Sequence, residues 1–328
     1  MYVKRKYGFW MTFNWSKWPF IFGAIYGGAV CALSYFLEIK VGLPWGPLGI
    51  IGIAVAFYLG FKNNSSYDRT WEARKIWGGI VNNSRTFGAA VVSFVQGDKA
   101  SEVQKELIYR HIAWMTALRH QLRLSKEWEH VENRVKALYS PTICEDFHNK
   151  LDNEISRYLS ETEQKQTQGK SNMATQILKI QSIRLQELKD KGYFEDFRHM
   201  EFHQIITNFY ADQGRAERIK NFPFPRQYAS VAVWLTFVFC AFVPFGLLDV
   251  LHVDQPYMIW VCPLLSGLII WVFFLMEMIG DYSENPFEGT YNDVPITSIS
   301  RGIEIDLLEM IDDSDIPEPI KDTNGFLM

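Results

Sequence analysis

From Val41 to Phe61 the chain carries no charged side chain, and Lys40 and Lys62 close the two ends. At ~1.5 Å of rise per residue, a helix over this run covers roughly 30 Å, the thickness of a bilayer's hydrocarbon core. Gly52, Ala56 and Gly60 recur every fourth residue and so share one stripe, which lets neighbouring helices approach closely in a membrane. Beside them, at the same spacing, stand Ile53, Phe57 and Phe61. Two readings of this bulky row stand open. The residues pack a bundle of membrane helices, or they line a narrow axis in an oligomer.

After Phe61 the sequence turns polar with no Pro or Gly until after Trp77, so the helix is expected to run on into water. Arg69 with Glu72, and Glu72 with Lys75, are opposite charges at i,i+3 and can pair on its surface. The wording of this stretch, Phe-Lys-Asn-Asn-Ser-Ser-Tyr-Asp-Arg-Thr-Trp-Glu-Ala-Arg-Lys over 61–75, closely resembles the signature of the bestrophin family, its bacterial members in particular. The residues that carry it are Asn63, Asn64, Asp68, Arg69, Trp71 and Glu72. A second block, Glu284-Asn285-Pro286-Phe287, then Asn292-Asp293-Val294-Pro295 and Glu304-Ile305-Asp306-Leu307-Leu308, matches in the right order. The resemblance extends from about residue 5 to about 311.

Three more uncharged runs are long enough to span: Trp18 to Leu37, Gln227 to Leu248, and Gln255 to Met276. Pro244 and Pro263 lie inside the last two as expected kinks, which packed membrane helices tolerate. Residues 1–18 mix Lys4, Arg5, Lys6 and Lys17 with aromatics, as an interfacial segment does. Positive charges cluster before the first span and after the second, whereas the other side has Lys40 against Glu38, Asp249 and Asp254. The positive-inside rule then puts both termini in the cytoplasm of a multi-pass protein.

The polar insert reads as helix throughout: 64–96 continuing the second span, an amphipathic 101–124, then 145–160, 173–191 and 194–219, with a loop from Glu161 to Asn172. In 101–124, Leu107, Ile108, Ile112, Met115, Leu118 and Leu122 gather on one side. No alternating pattern of useful length occurs, so the fold class is all-α. The expected organisation is 1–77 for the interfacial segment, two spans and the extension of the second; 78–226 for a helical cytoplasmic domain; 227–280 for the last two spans; 281–311 for a cytoplasmic C-terminal segment; and 312–328 for a flexible or loosely bound acidic tail.

Aromatic content of 15% with 11 Trp sits beside 21% charged residues, and the mean hydropathy is near zero. That is the profile of a chain living in two solvents. A net charge of −4 leaves no nucleic-acid footprint. Cys31, Cys144, Cys240 and Cys262 have neither zinc nor disulfide spacing. His199 and His203 are four apart, a spacing that can hold a metal, but no carboxylate-rich motif accompanies them. No nucleophile elbow, phosphate loop or dinucleotide fingerprint is present. The sequence therefore predicts neither an enzyme nor a cofactor or metal site.

The resemblance implies more than the pattern alone. It implies a homopentamer in the bacterial inner membrane whose neck is lined by Ile53, Phe57 and Phe61, with monovalent cations passing as in the bacterial branch; an anion channel of the same fold, or a non-conducting scaffold or transporter, is the alternative. A cytoplasmic aperture falls on Ile177 or Ile180, which equally suit the core of an amphipathic helix. Animal members carry an acidic calcium clasp after the Asn-Pro-Phe block. Here 288–293 holds only Glu288 and Asp293 as carboxylates, too few for the roughly six to eight oxygen ligands calcium takes.

Overall fold

The computed structural model describes residues 1–38, 41–129, 147–251 and 256–328. Lys40, Cys144, Asp254 and the first residues of the expected 145–160 helix lie outside the described residues. The fold is all-helical: α1 (Phe9–Phe36), α2 (Trp45–Phe94), α3 (Ala100–Arg123), α4 (Phe147–Ser156), α5 (Glu161–Thr167), α6 (Met173–Asp190), α7 (Asp196–Asn221), α8 (Arg226–Leu251), a 3₁₀ turn (Pro256–Val261), α9 (Cys262–Asp281) and α10 (Ile296–Met310). Four of these segments are long and apolar enough to cross a membrane: α1, α2, α8 and Met258–Asp281. The chain divides into two compact units, one of residues 4–69 and 223–284, the other of 1–3, 70–222 and 285–328.

In the first, apolar unit, small residues set the packing. A Cβ on Gly27 would stand 2.6 Å from the Ser266 side chain, and one on Gly267 would stand 2.9 Å from the Phe20 carbonyl oxygen. α1 and α9 therefore touch almost backbone to backbone, as helices do in lipid where dispersion replaces the hydrophobic effect. The Trp271 indole N–H donates to Ser16 Oγ at 2.8 Å. The interfacial aromatics Phe9 to Phe13 are already part of α1 rather than a separate segment. Pro263 is no kink, because it stands in the first turn of α9, where the missing N–H has no partner to lose. Pro244 does lie within α8.

The second unit is built round α3. Sequence periodicity gave this helix one apolar side, yet Arg110, His111, Arg119, His120 and Arg123 are buried along with Leu107, Ile112 and Trp114. Helices surround it, and each of these polar side chains meets at least one partner. Arg110 donates to Glu163, Gln181 and Glu106, and Trp114 donates to Gln213 Oε1 at 3.0 Å. The expected loop after Ser160 instead opens with α5, started by a capping box between Ser160 and Glu163. The acidic tail is docked, not loose: Asp313 pairs with Lys105, Asp315 with Arg157, and Phe326 bridges to Tyr2. Its carboxylates find cations on the unit's surface.

His111 reports on the integrity of this unit. Its ring lies 4.5 Å from that of Phe209, and Nε2 is 2.9 Å from Ser84 Oγ. Complete burial pushes its pKa down to about 3 from 6.5. The folded state thus keeps the ring neutral while the unfolded chain takes up a proton below pH 6.5, so the native state loses stability as pH falls from 6.5 towards 3. The slope approaches ~1.4 kcal/mol per pH unit. Carboxylates held below their usual range, such as Glu106, add a loss only at lower pH. Thermal unfolding followed between pH 7 and 5 is expected to show this slope, and His111→Phe to flatten it; an equal slope in both proteins would rule His111 out as its source.

Candidate functional site

Over its first half α2 has two unlike faces. Leu48, Val55 and Leu59 are buried with Val30, Phe239, Cys240 and Val243 in the core of the apolar unit. Gly52 belongs to that side as well, where a Cβ would lie 2.8 Å from the Phe239 ring, whereas Gly60 has open space around it. Only part of the small-residue stripe is therefore used within one chain. The opposite face presents Ile53, Phe57 and Phe61, which are 73%, 68% and 54% exposed. The Phe57 and Phe61 rings meet edge to face with centroids 4.6 Å apart. Ile50, one turn earlier and also exposed, continues the row and was not singled out by sequence.

Below Phe61 the same face turns polar through Asn64 and Asp68, both exposed. The positive charges turn the other way. Lys62 is enclosed, its Nζ 2.8 Å from Glu277 Oε1 and 4.0 Å from Asp281 Oδ1. The Arg69 Nε donates to the Glu284 carbonyl at 2.8 Å, and Arg226 reaches the Glu284 carboxylate at 3.2 Å. Glu72 pairs with Lys75 as its spacing implied, while Arg69 takes the Glu284 backbone among its partners. Sequence reasoning missed Lys62–Glu277 because the two residues bound apolar runs 215 positions apart, and neither run says which other it packs against. A lone carboxylate bordering an apolar span was the available signal, since such groups are paired.

The signature residues of the second block are bound into the fold by their contacts. Phe287 is buried in the core of the second unit, the Asn285 amide donates to Glu288 at 3.2 Å, and the Pro286 carbonyl accepts from Val294 N–H. Trp71 is exposed, with the Arg74 guanidinium over its ring. Asp293 closes the 288–293 loop on itself: its carboxylate accepts from Gly289 N–H, from Thr290 N–H and from the Thr290 hydroxyl. Arg123 Nη1 sits 3.0 Å from it, so a guanidinium already neutralises this carboxylate. His199 stacks on Phe194, and among the described residues no three His, Cys, Asp or Glu side chains converge on a metal position.

Ile177 and Ile180 part company. The Ile177 side chain is only 1% exposed within the core of the second unit, which corrects its assignment to an aperture, because a side chain enclosed by its own subunit has no surface to offer a lumen. Ile180 is half-buried. It lines an open cavity together with Ile183, Arg110 and Arg184.

The family of Bacterial/Fungal Bestrophin proteins matches residues 18–309 of this chain. The Voltage-dependent anion channel-forming protein YneE of Escherichia coli (strain K12) is 27% identical over 288 residues, covering 88% of this chain and 84% of that protein. The Voltage-dependent anion channel-forming protein mll4386 of Mesorhizobium japonicum is 26% identical over 295 residues, covering 89% of this chain and 84% of that one. In fold, the chain is similar to a bacterial bestrophin homolog from Klebsiella pneumoniae with a TM-score of 0.76, covering 91% of this chain and 99% of that chain at 22% identity. With four membrane-length helices, an exposed apolar row on the second and a family match over most of its length, the chain belongs to the bacterial and fungal bestrophins, a family whose fold is that of membrane ion channels.

Proposed function

We propose that five copies of this chain assemble in the bacterial inner membrane, with both termini in the cytoplasm, and pass monovalent cations through a neck built from Ile53, Phe57 and Phe61 of each α2. The exposed row supports this, because rings of apolar groups around an axis make ions shed water without receiving polar ligands, and such a constriction gates by dewetting. Ile180, with Ile183 beside it, replaces Ile177 as the constriction at the cytoplasmic exit. Crosslinking in native membranes is expected to give a five-rung ladder.

Apolar rings do not choose the sign of an ion. The observation that carries the cation reading is Asp68. It lies seven residues beyond Phe61, hence on the same helix face, and is exposed, whereas Lys62 is enclosed against Glu277 and Arg69 is drawn to Glu284. Five such carboxylates below the neck would concentrate cations, as acidic rings do in cation channels. The names of the curated relatives favour a second reading, in which the ion is an anion.

A planar bilayer with a sodium chloride gradient separates the two. The reversal potential is expected near the sodium equilibrium value, moving towards zero in Asp68→Asn. A reversal near the chloride value, unaffected by Asp68→Asn, would transfer the chain to the anion reading.

A further inference from the structure

A second site lies in the unit of residues 1–3, 70–222 and 285–328. A cavity of about 70 Å³ opens between α3, the end of α4 and α10. That is room for roughly two waters at ~30 Å³ each, or for one small ion. Its lining is almost wholly polar. Thr116 and Arg119 come from α3, Glu154 and Tyr158 from α4 and the turn after it, and Thr297 and Ser300 from α10.

The carboxylates here are already neutralised. Glu154 accepts from Arg119 and faces His120 Nε2 at 3.3 Å. Burial pushes the Glu154 carboxyl up, but His120 and Arg119 outweigh it and hold it below the usual range. Glu304, also in the wall, accepts from the Tyr158 hydroxyl and is 3.3 Å from Arg301 Nε. Two further guanidinium groups, Arg157 and Arg301, border the space. Arg157 is itself held by Asp315 outside the cavity, its Nη2 2.7 Å from that carboxylate.

The unsatisfied groups in this wall, a guanidinium N–H and a hydroxyl, can both donate. Arg119 is 6% exposed and Ser300 4%, and among the described residues neither Arg119 Nε nor Ser300 Oγ has a hydrogen-bond partner. A buried charged donor without an acceptor costs more than an ordinary lost hydrogen bond, and such groups in native proteins answer to an ion or ordered water. A cation does not fit, because the carboxylates are engaged by arginine, histidine and tyrosine and the open Arg119 Nε can only donate. We propose that this cavity binds one small inorganic anion, of halide size, held by Arg119 and the hydroxyls of Ser300, Thr116 and Thr297, and so fastens α10 to α3 and α4. The site is independent of the pore reading and of the ion that the neck conducts.

The full-length chain in detergent, with sodium bromide as the probe, tests this. Crystals grown in bromide are expected to show an anomalous peak within hydrogen-bond distance of Arg119 and Ser300. The thermal midpoint should rise in bromide relative to gluconate at equal ionic strength, by ligand linkage. Ser300→Ala combined with Thr297→Val removes two donors to a charged ligand and should raise the half-saturating bromide concentration by about tenfold or more. Water alone in the cavity, with no anomalous peak, overturns the proposal. So does a bromide-dependent midpoint that the double variant leaves unchanged. The wild-type anomalous map decides the matter even where the double variant does not fold.

Discussion

Trimming Phe57 or Phe61 to alanine is expected to raise single-channel conductance several-fold, with a smaller rise for Ile53→Ala. Each benzyl group withdrawn from a ring widens the constriction and makes it easier to wet, and lowering a barrier by ~1.4 kcal/mol multiplies flux tenfold. These side chains are among the more exposed apolar groups of the single chain. Truncation removes the Phe57–Phe61 edge contact but opens no cavity in the core, so assembly should survive. Single-channel recording on protein shown to be pentameric provides the check. Conductance unchanged in both phenylalanine variants would take the row out of the pore and leave it as a packing face.

The second large effect belongs to stability. Lys62→Met should destabilise the apolar unit by about 3–5 kcal/mol, the usual cost of leaving one member of a buried ion pair without its partner. Glu277 would then be enclosed without the lysine, which faces both it and Asp281. The double variant Lys62→Met/Glu277→Met should recover most of that loss, because an apolar pair of similar volume avoids desolvation altogether. Denaturant titration in detergent, arranged as a double-mutant cycle, measures the difference. Single variants costing under ~1 kcal/mol would show that water reaches the pair and screens it.

How much of this was legible follows from where periodicity holds. The four spans announce themselves because lipid demands long uncharged runs, and the two faces of α2 could be read from spacing because each face meets a different environment. α3 defeated the same logic. A helix enclosed on all sides has no face assigned to water, so its buried Arg110, Arg119 and Arg123 looked like a solvated side until their partners, far off in sequence, were seen. Ile177 and Ile180 fall under the same limit, since one turn of α6 separates a core residue from a half-exposed one. The start of α5 is another matter: Ser160 and Glu163 form a capping box that sequence displays, and it went unread inside a polar run. The docking of Asp313 and Asp315 depended on cations elsewhere in the chain, which composition does not reveal.

The buried pair at Lys62 also bears on how the chain is made. Its partner lies 215 residues further along. At ~5–20 residues per second of synthesis, roughly 10–40 s pass before Glu277 exists. Throughout that interval the lysine must keep its ammonium in the headgroup region on its long aliphatic stem. The second span thus keeps a charged end to accommodate until the last span supplies Glu277.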